Sequence, residues 1–499
     1  MTLKDDWEEQ LQKEYHLFIN GQFKPSESGD RILTRNPANG EMLAFVSVAD
    51  EKDVDQAVEA AQNAFEDWKA TSAQERANIL LRLADRVEEN LTFLAIIESL
   101  DNGKPLREAR EDMMTIADQF RYFAGCIRSQ EGRYIQHNQA AFSILIHEPL
   151  GVIAQIVPWN FPLLIAVWKI VPALAAGNTV VIKPASNTPL SILEFARLTQ
   201  DILPPGVLNV IPGLGTKCGE ALLKHRNINK ITFTGSTEVG KHIGKIAAES
   251  ILPTTLELGG KSANIIFPDA PIKKAIEGAA IGILYNQGQV CSAGSRLFVH
   301  EEVYDEVIEG LKKIFMEIKI GDPLDPDVQM GPLIDEKQLQ KVLAYVEIGK
   351  KEGATLIYGG QRVEDETLKN GFYIQPTLFT NVTNDMKIAQ EEIFGPVLVV
   401  IKFREEQEVI DMANHSPYGL VGAVWSKDIN RAIRVAKSID TGTMWINEFN
   451  LVPAHSPFGG YKKSGYGRES HKMALKDYSQ VKNIYISLTE EPTGWYKKL

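Results

Sequence analysis

Cys291 sits in the stretch Asn286-Gln287-Gly288-Gln289-Val290-Cys291-Ser292-Ala293-Gly294-Ser295-Arg296, where small residues and glycines let the backbone come close to a ligand around a single thiol. A thiolate in such a setting can act as a covalent nucleophile, whereas a cysteine in a regular element is more often a small, inert core residue. The inert reading suits Cys126, within a helical run, and Cys218, near a helix start. Upstream, Thr255-Leu256-Glu257-Leu258-Gly259-Gly260-Lys261 places a carboxylate at the end of an apolar strand. Apolar neighbours would raise its pKa and suit it to general-base work. The alternative is a surface glutamate at a strand end. In Pro158-Trp159-Asn160-Phe161-Pro162, the Asn160 amide is either a donor to a developing oxyanion or an ordinary turn residue.

Two glycine patterns compete for phosphate binding. Gly213-Leu214-Gly215 begins like a dinucleotide fingerprint, but Cys218 stands where the third glycine belongs and Gly219 comes one residue late. Phe233-Thr234-Gly235-Ser236-Thr237-Glu238-Val239-Gly240 follows a strand and opens a helix, so its free amides and the helix dipole can hold a pyrophosphate. It lacks the Gly-Lys-Ser/Thr ending of a P-loop, which argues against ATP.

These groups need a scaffold. Val54, Ala57, Val58 and Ala61, then Leu80, Leu83 and Val87, recur at helical spacing and predict helices over 53 to 128. From 151 the pattern changes to short apolar runs at 152 to 157, 179 to 182, 207 to 211, 230 to 233 and 254 to 258. Helical stretches lie between them near 162 to 175, 188 to 202, 216 to 225 and 237 to 250. Five strands with four crossovers make a doubly wound α/β sheet the expectation. A second α/β unit follows in runs at 264 to 267, 297 to 299, 397 to 401, 421 to 425 and 444 to 446. Segments 134 to 148 and 478 to 488 fit neither unit; each is either an ordinary edge strand or part of an oligomerisation arm.

At 499 residues the chain is long for one core. Its 44% hydrophobic and 24% charged residues are ordinary globular usage, and its net charge of -12 opposes binding to the nucleic-acid backbone. The charged start around Asp5, Asp6, Glu8 and Glu9 is unlike a secretory signal, and no apolar run approaches the ~20 residues a membrane span needs. A cytoplasmic protein with neither nucleic-acid nor membrane partner is expected. Three scattered cysteines support neither a disulfide framework nor a metal site, so no metal is expected.

Taken together, the Cys291 loop, the Glu257 stretch, Pro158 to Pro162, Lys183-Pro184, the Gly235 to Gly240 turn, Glu392-Ile393-Phe394-Gly395-Pro396 and Pro457-Phe458-Gly459-Gly460 resemble the aldehyde dehydrogenase superfamily. They occur in the family's order over nearly the whole chain. The resemblance implies Cys291 as nucleophile, Glu257 as base, Asn160 with the Cys291 amide as oxyanion hole, and Lys169 with Glu469 as a proton relay. It implies cofactor contacts from Trp159, Lys183, Ser186, Gly215, Gly235, Ser236, Gly240, Leu258, Glu392 and Phe394. Phe161, Ile165, Trp168 and Phe458 are the implied walls of an apolar aldehyde site.

The implied reaction converts an aldehyde to a carboxylic acid through a thiohemiacetal and a thioester on Cys291, with NAD as cofactor and water completing the cycle. One position departs from the family: NAD-preferring members often carry a glutamate where this chain has Ser186, which leaves NADP open as well. The expected division is a Rossmann-like cofactor domain over 1–133 and 149–259 and a catalytic domain over 260–447. An oligomerisation arm from 134–148 and 478–499 would build a homodimer or homotetramer, and 448–477 would return to the cofactor domain and the substrate-site rim. A cysteine hydrolase would need a histidine base; no histidine lies near Cys291 in sequence, yet His415 or His455 could approach it in space. A CoA-acylating enzyme of the same family typically lacks the base that Glu257 supplies. A non-catalytic binding protein would be expected to lose the catalytic set.

Overall fold

The computed structural model describes residues 11–496, so the charged start at Asp5 to Glu9 and the last three residues of the expected arm lie outside the described residues. Capping boxes open the first two long helices. Asp50 and Asp53 exchange side-chain and backbone bonds at the start of Glu51–Ala70, as do Ser72 and Glu75 at the start of Ala73–Glu89. Val54, Ala57, Val58 and Ala61 form the buried face of the first helix, and Leu80, Leu83 and Val87 that of the second. Leu91–Asn102 and Leu106–Arg128 complete the helical lead-in that the periodicity predicts.

The five expected parallel strands form the centre of one sheet, in the order Thr254–Glu257, Lys230–Thr234, Val152–Ile156, Thr179–Lys183, Leu208–Val210. The strand that comes first in sequence is central, and the chain winds outward from it in both directions. That is a doubly wound sheet, with its switch-point crevice at the carboxyl ends of the strands. Antiparallel Gly465–Tyr466 closes one edge, and Leu17–Ile19 with Gln22–Lys24 closes the other. These edges were not anticipated, because strands of two or three residues carry no readable alternation.

The second sheet runs Thr355–Tyr358, Thr377–Thr380, Val397–Phe403, Arg296–His300, Ala263–Ile266, Val421–Trp425, Thr443–Ile446, parallel except for the first of these. It contains all five expected runs and adds the first two strands of that order. A separate antiparallel sheet pairs Ser479–Ser487 and Arg133–Asn138 on either side of Ala141–Pro149. Segments 134 to 148 and 478 to 488 are therefore strands of one sheet. Expected helix 216 to 225 is instead a π-helical turn, Gly215–Gly219, followed by the short helix Glu220–Lys224. Among the described residues no helix is long and apolar enough to cross a membrane.

Candidate active site

Pro162–Ala175 is buried along its whole length, with Pro162 at the position where its missing N–H costs nothing. Asn160 and Phe161 precede it at the carboxyl end of the central strand, while Ile165, Trp168 and Lys169 lie on the helix itself. Asn160 is held from two directions: its Nδ2 donates to the Gln289 carbonyl at 2.9 Å, and its carbonyl accepts from Asn286 Nδ2 at 2.7 Å. The pentapeptide and the thiol loop, far apart in sequence, are thus tied together.

The thiol loop owes its course to three successive left-handed residues, Asn286, Gln287 and Gly288, at φ 46°, 57° and 69°. Such conformations are costly in non-glycine residues and persist where surrounding bonds hold them. Here the Asn286 amide donates to Glu108 Oε2 at 2.7 Å, and the Gln287 carboxamide bonds Pro332 and Gly331. Further along, Gly260 backs onto the loop so closely that a β-carbon there would lie 2.5 Å from the Cys291 carbonyl oxygen.

Two cavities meet at Cys291. The first is lined by Phe161, Ile165, Trp168, Phe458, Glu257 and Glu469, so the four expected wall residues come together with the expected base. Trp168 packs on Phe458 with ring centroids 5.5 Å apart, and Phe161 stacks on Tyr285 at 6.3 Å. The second is lined by Trp159, Asn160, Gly235, Ser236, Leu258, Glu392 and Phe394. Cys291 and Thr234 are the residues common to both.

Glu257 is 4% exposed, and neither of its carboxylate oxygens has a hydrogen-bond partner among the described residues. Burial, reinforced by the neighbouring Glu469 and opposed by Lys169 and Arg468, holds its carboxyl well above the usual carboxylate range. Lys169 donates to Glu469 Oε1 in a fully buried ion pair. Glu469 is fixed by reciprocal backbone bonds with Phe458, at 2.8 and 2.9 Å. Burial also pushes the Cys291 thiol up to about 12, with Glu392 and Glu257 adding to the effect and the amides of Ser292 and Cys291 opposing it.

On the second side, Glu392 Oε1 accepts from the Gly260 amide at 2.9 Å, and Trp159 meets Phe394 edge to face at 5.3 Å. Ser236 caps the helix Thr237–Ser250 by accepting from the Val239 amide, so this helix starts at the cavity wall. Gly240, one turn along, lies against Leu258. Lys183 is elsewhere: its Nζ donates to the carbonyls of Pro184 and Gly213 at 2.8 and 3.1 Å, and burial lowers its pKa. Ser186 is half-buried in the turn after it, and Gly215 is exposed at the start of the π-helical turn. None of these three lines the cavity at Cys291. Cys218 is buried with its thiol toward the Ile211 carbonyl and Cys126 lies within Leu106–Arg128, as the inert reading has them.

Several lining residues escaped sequence reasoning. Asp112 and Thr115, on Leu106–Arg128, and Tyr285 line the first cavity; Gln338 and Lys341, on Glu336–Lys351, line the second. Gln338 Nε2 donates to the Phe394 carbonyl at 2.7 Å, which fixes that loop. Among the described residues no group of three or more His, Cys, Asp or Glu is placed to hold a metal ion.

Residues 23–484 match the family model described as the aldehyde dehydrogenase family. A curated aldehyde dehydrogenase of Vibrio cholerae is 48% identical over 490 residues, spanning 97% of this chain and 96% of its own. Among solved structures, the NAD+ complex of an aldehyde dehydrogenase from Bacillus cereus is 46% identical, with a TM-score of 0.95 over 97% of this chain and 99% of that one. A betaine aldehyde dehydrogenase from Staphylococcus aureus in complex with NAD+ is 40% identical, with a TM-score of 0.97 and full coverage of both chains.

Proposed function

The chain belongs to the aldehyde dehydrogenase family, and from that membership we propose that it is an NAD-dependent enzyme that oxidises an aldehyde to a free carboxylic acid through covalent catalysis by Cys291. The observation that carries this reading is the position of Cys291 as the shared wall of two cavities, one holding an unpartnered buried glutamate and the other a helix start and Glu392.

The second cavity fits a dinucleotide. The amino end of Thr237–Ser250, beside Gly235 and Ser236, offers free amides and a favourable dipole to a pyrophosphate. Glu392, which lines this cavity, would accept from a ribose, with Trp159, Leu258 and Phe394 as apolar walls, and Gly240 lets the helix pack on Leu258. Lys183, Ser186 and Gly215, which do not line the cavity, are assigned to the adenosine end. When bound, NAD supplies the hydride acceptor.

The rest is work for this chain's own side chains. An aldehyde in the first cavity lies between the thiol and the rings of Phe161, Trp168 and Phe458, with Ile165 beneath. At its raised pKa Cys291 is a thiol at neutral pH, so a base must take its proton as sulfur adds to the carbonyl. Glu257 lines the same cavity with both oxygens free to accept. The oxyanion falls to the Cys291 amide and Asn160 Nδ2, which has a second hydrogen besides the one given to Gln289. Loss of hydride leaves a thioester on Cys291; Glu257 gives up the thiol proton toward Glu469 and Lys169, and the carboxylate so restored then takes a proton from the attacking water. Glu469 and Lys169 behind it supply a buried path for that proton.

The experiment mixes the purified protein with NAD and a panel of aldehydes, and measures reduced cofactor and carboxylic acid together. Equal amounts of both support the reading. Reduced cofactor without free acid in the absence of CoA overturns hydrolysis by Glu257, and no reduced cofactor with any aldehyde overturns the whole assignment.

Assembly is proposed on separate grounds. The sheet built from Arg133–Asn138, Ala141–Pro149 and Ser479–Ser487 leaves Tyr134, Ile135, Val481, Ile484 and Tyr485 exposed. Exposed apolar strand surface of this kind is normally covered by another copy. Sedimentation velocity is expected to give a dimer or tetramer, and a monomer would count against the arm.

A further inference from the structure

Central strands of a parallel sheet covered on both faces are normally apolar throughout. One face of the first sheet departs from this. Along Lys230–Thr234, Ile231 and Phe233 join the apolar core on one side, while Lys230, Thr232 and Thr234 share the other. The strand registers widen the polar stripe: Gln155 stands opposite Thr232 on one flank, Thr255 opposite it on the other, and Glu257 opposite Thr234. All of these side chains are buried. The stripe runs from Glu257 and Thr234, at the carboxyl ends of the strands beside the cavities, back to Lys230 at the amino ends.

Neighbouring elements add polar groups to the same face. Gln155 Nε2 donates to the Lys169 carbonyl at 2.9 Å, and Lys230 Nζ donates to Thr255 Oγ1 at 2.9 Å. Tyr478, directly after the short helix Ala474–Asp477, sets its ring centroid 5.5 Å from the Lys230 ammonium. Burial and then the charge of Glu469 raise the Tyr478 phenol, while the Thr232 hydroxyl opposes them. The two hydroxyls therefore lie close together, without the geometry of a hydrogen bond. Burial lowers Lys230 to about 8, with Asp477 and Glu469 opposing and Lys169 adding to the effect.

Four buried oxygens of this group have no hydrogen-bond partner among the described residues: Gln155 Oε1, Thr232 Oγ1, Tyr478 Oη and Glu469 Oε2. A polar row kept for stability would pair its atoms, because a buried unpaired one forfeits its hydration. These four suit water instead. The carboxamide and carboxylate oxygens accept, the two hydroxyls give or accept, and a water molecule has two hydrogens and two lone pairs with which to join them.

The reaction needs an outlet of this kind. Converting an aldehyde, NAD and water to a carboxylate and reduced cofactor releases two protons, and the first comes from the thiol while aldehyde and cofactor fill the two cavities. Glu257 has to shed that proton before it can act on water. We propose that the polar stripe is its outlet: water held by Gln155, Thr232, Tyr478 and Glu469 carries the proton from Glu469 toward Lys230 and Asp477. Lys230 releases a proton toward Asp477 and is recharged from the water, so no net charge accumulates in the core. Asp477 is half-buried and marks the point where the path leaves it. Gln155, Thr232 and Tyr478 are positioning residues, since they act through Glu469. The inference rests on the reading of Glu257 as the base.

The test follows reduced cofactor and proton release together, by stopped-flow absorbance with a pH-indicator dye in weak buffer, in the parent, Thr232→Val and Thr232→Ser. Thr232→Val keeps the shape and deletes an unpartnered hydroxyl, so its Tm is expected to hold or rise. With the outlet broken, Glu257 still receives the thiol proton but sheds it slowly. The first turnover of reduced cofactor and kcat/KM should keep their values, while proton release lags behind and kcat falls about tenfold. The solvent deuterium isotope effect on kcat should grow, and Thr232→Ser should restore the parent's behaviour. Unchanged proton release and kcat in folded Thr232→Val would overturn the outlet. So would a joint fall in Tm and kcat/KM, which would make Thr232 a packing residue. If Thr232→Val does not fold, Tyr478→Phe deletes the second unpartnered hydroxyl and is read in the same way. A parent that forms no reduced cofactor overturns the reading of Cys291 and Glu257; a parent that turns over beside unimpaired variants overturns the outlet alone.

Discussion

A β-carbon on Gly288 would stand 2.3 Å from the carbonyl oxygen of Gly395, and Gly288 is itself held at φ 69°. This contact seats the thiol loop against the loop that carries Glu392 and Phe394, and so sets the two cavities on either side of Cys291. Gly288→Ala has neither the space nor the conformation: the left-handed region alone costs an L-residue roughly 1–2 kcal/mol. The expected outcome is a lower Tm by circular dichroism and a loss in kcat/KM of more than about tenfold. Undiminished activity in a folded Ala variant would show that the thiol does not depend on this contact.

Cys291→Ala should abolish aldehyde oxidation and leave NAD binding nearly unchanged, because the sulfur forms the covalent bond and only borders the second cavity. Calorimetric titration with NAD, alongside an activity assay, checks both halves. Substantial turnover in the purified variant would rule out the mechanism.

Glu257→Gln keeps the shape but cannot take a proton from water. Because Glu257 serves both the thiol and the water, rapid mixing should show the first turnover of reduced cofactor slowed and the following steady-state turnover slowed as well. Unchanged steady-state turnover is the result that removes Glu257 from the mechanism.

The same substitution has a stability signature. Because burial raises the Glu257 pKa above its ordinary 4.5, the folded state holds this proton more tightly than the unfolded state. The contribution is therefore fully present below about pH 4.5 and is lost as pH rises toward the folded value. Glu257→Gln should weaken that decline, so its Tm relative to the parent should improve from acidic to alkaline pH. A difference that stays flat across this range would contradict the buried, unpartnered carboxylate.

Ser186→Glu should sharpen preference for NAD over NADP. A carboxylate accepting from the ribose diol is worth roughly 1.5–3 kcal/mol and would repel a 2′-phosphate. The ratio of kcat/KM for the two cofactors, in parent and variant, measures it. No change in the ratio would mean that Ser186 does not face the ribose.

Much of this molecule could be read along the chain. The seven short motifs lie in consecutive residues, so their resemblance to the family could be read along the chain, and it was this resemblance, not local composition, that singled out Cys291, Glu257 and Asn160. Alternation of apolar runs with helical stretches likewise named the five central strands and most of their crossovers. A strand of five buried residues leaves that trace; Leu17–Ile19 and Gly465–Tyr466 are too short to do so.

Tertiary structure decided what depends on who meets whom. Lys169 and Glu469 pair across 300 residues of sequence, and nothing local to either distinguishes it from a surface charge. Asp112 follows the helical repeat of Leu106–Arg128 as one more inward position, where an apolar residue would be the ordinary occupant. Only the packing of that helix beside Phe161 and Tyr285 turns it toward the cavity. Sequence pattern reports which face of an element is buried; the fold alone determines which other buried face it meets, and charge pairing and cavity shape depend on that meeting.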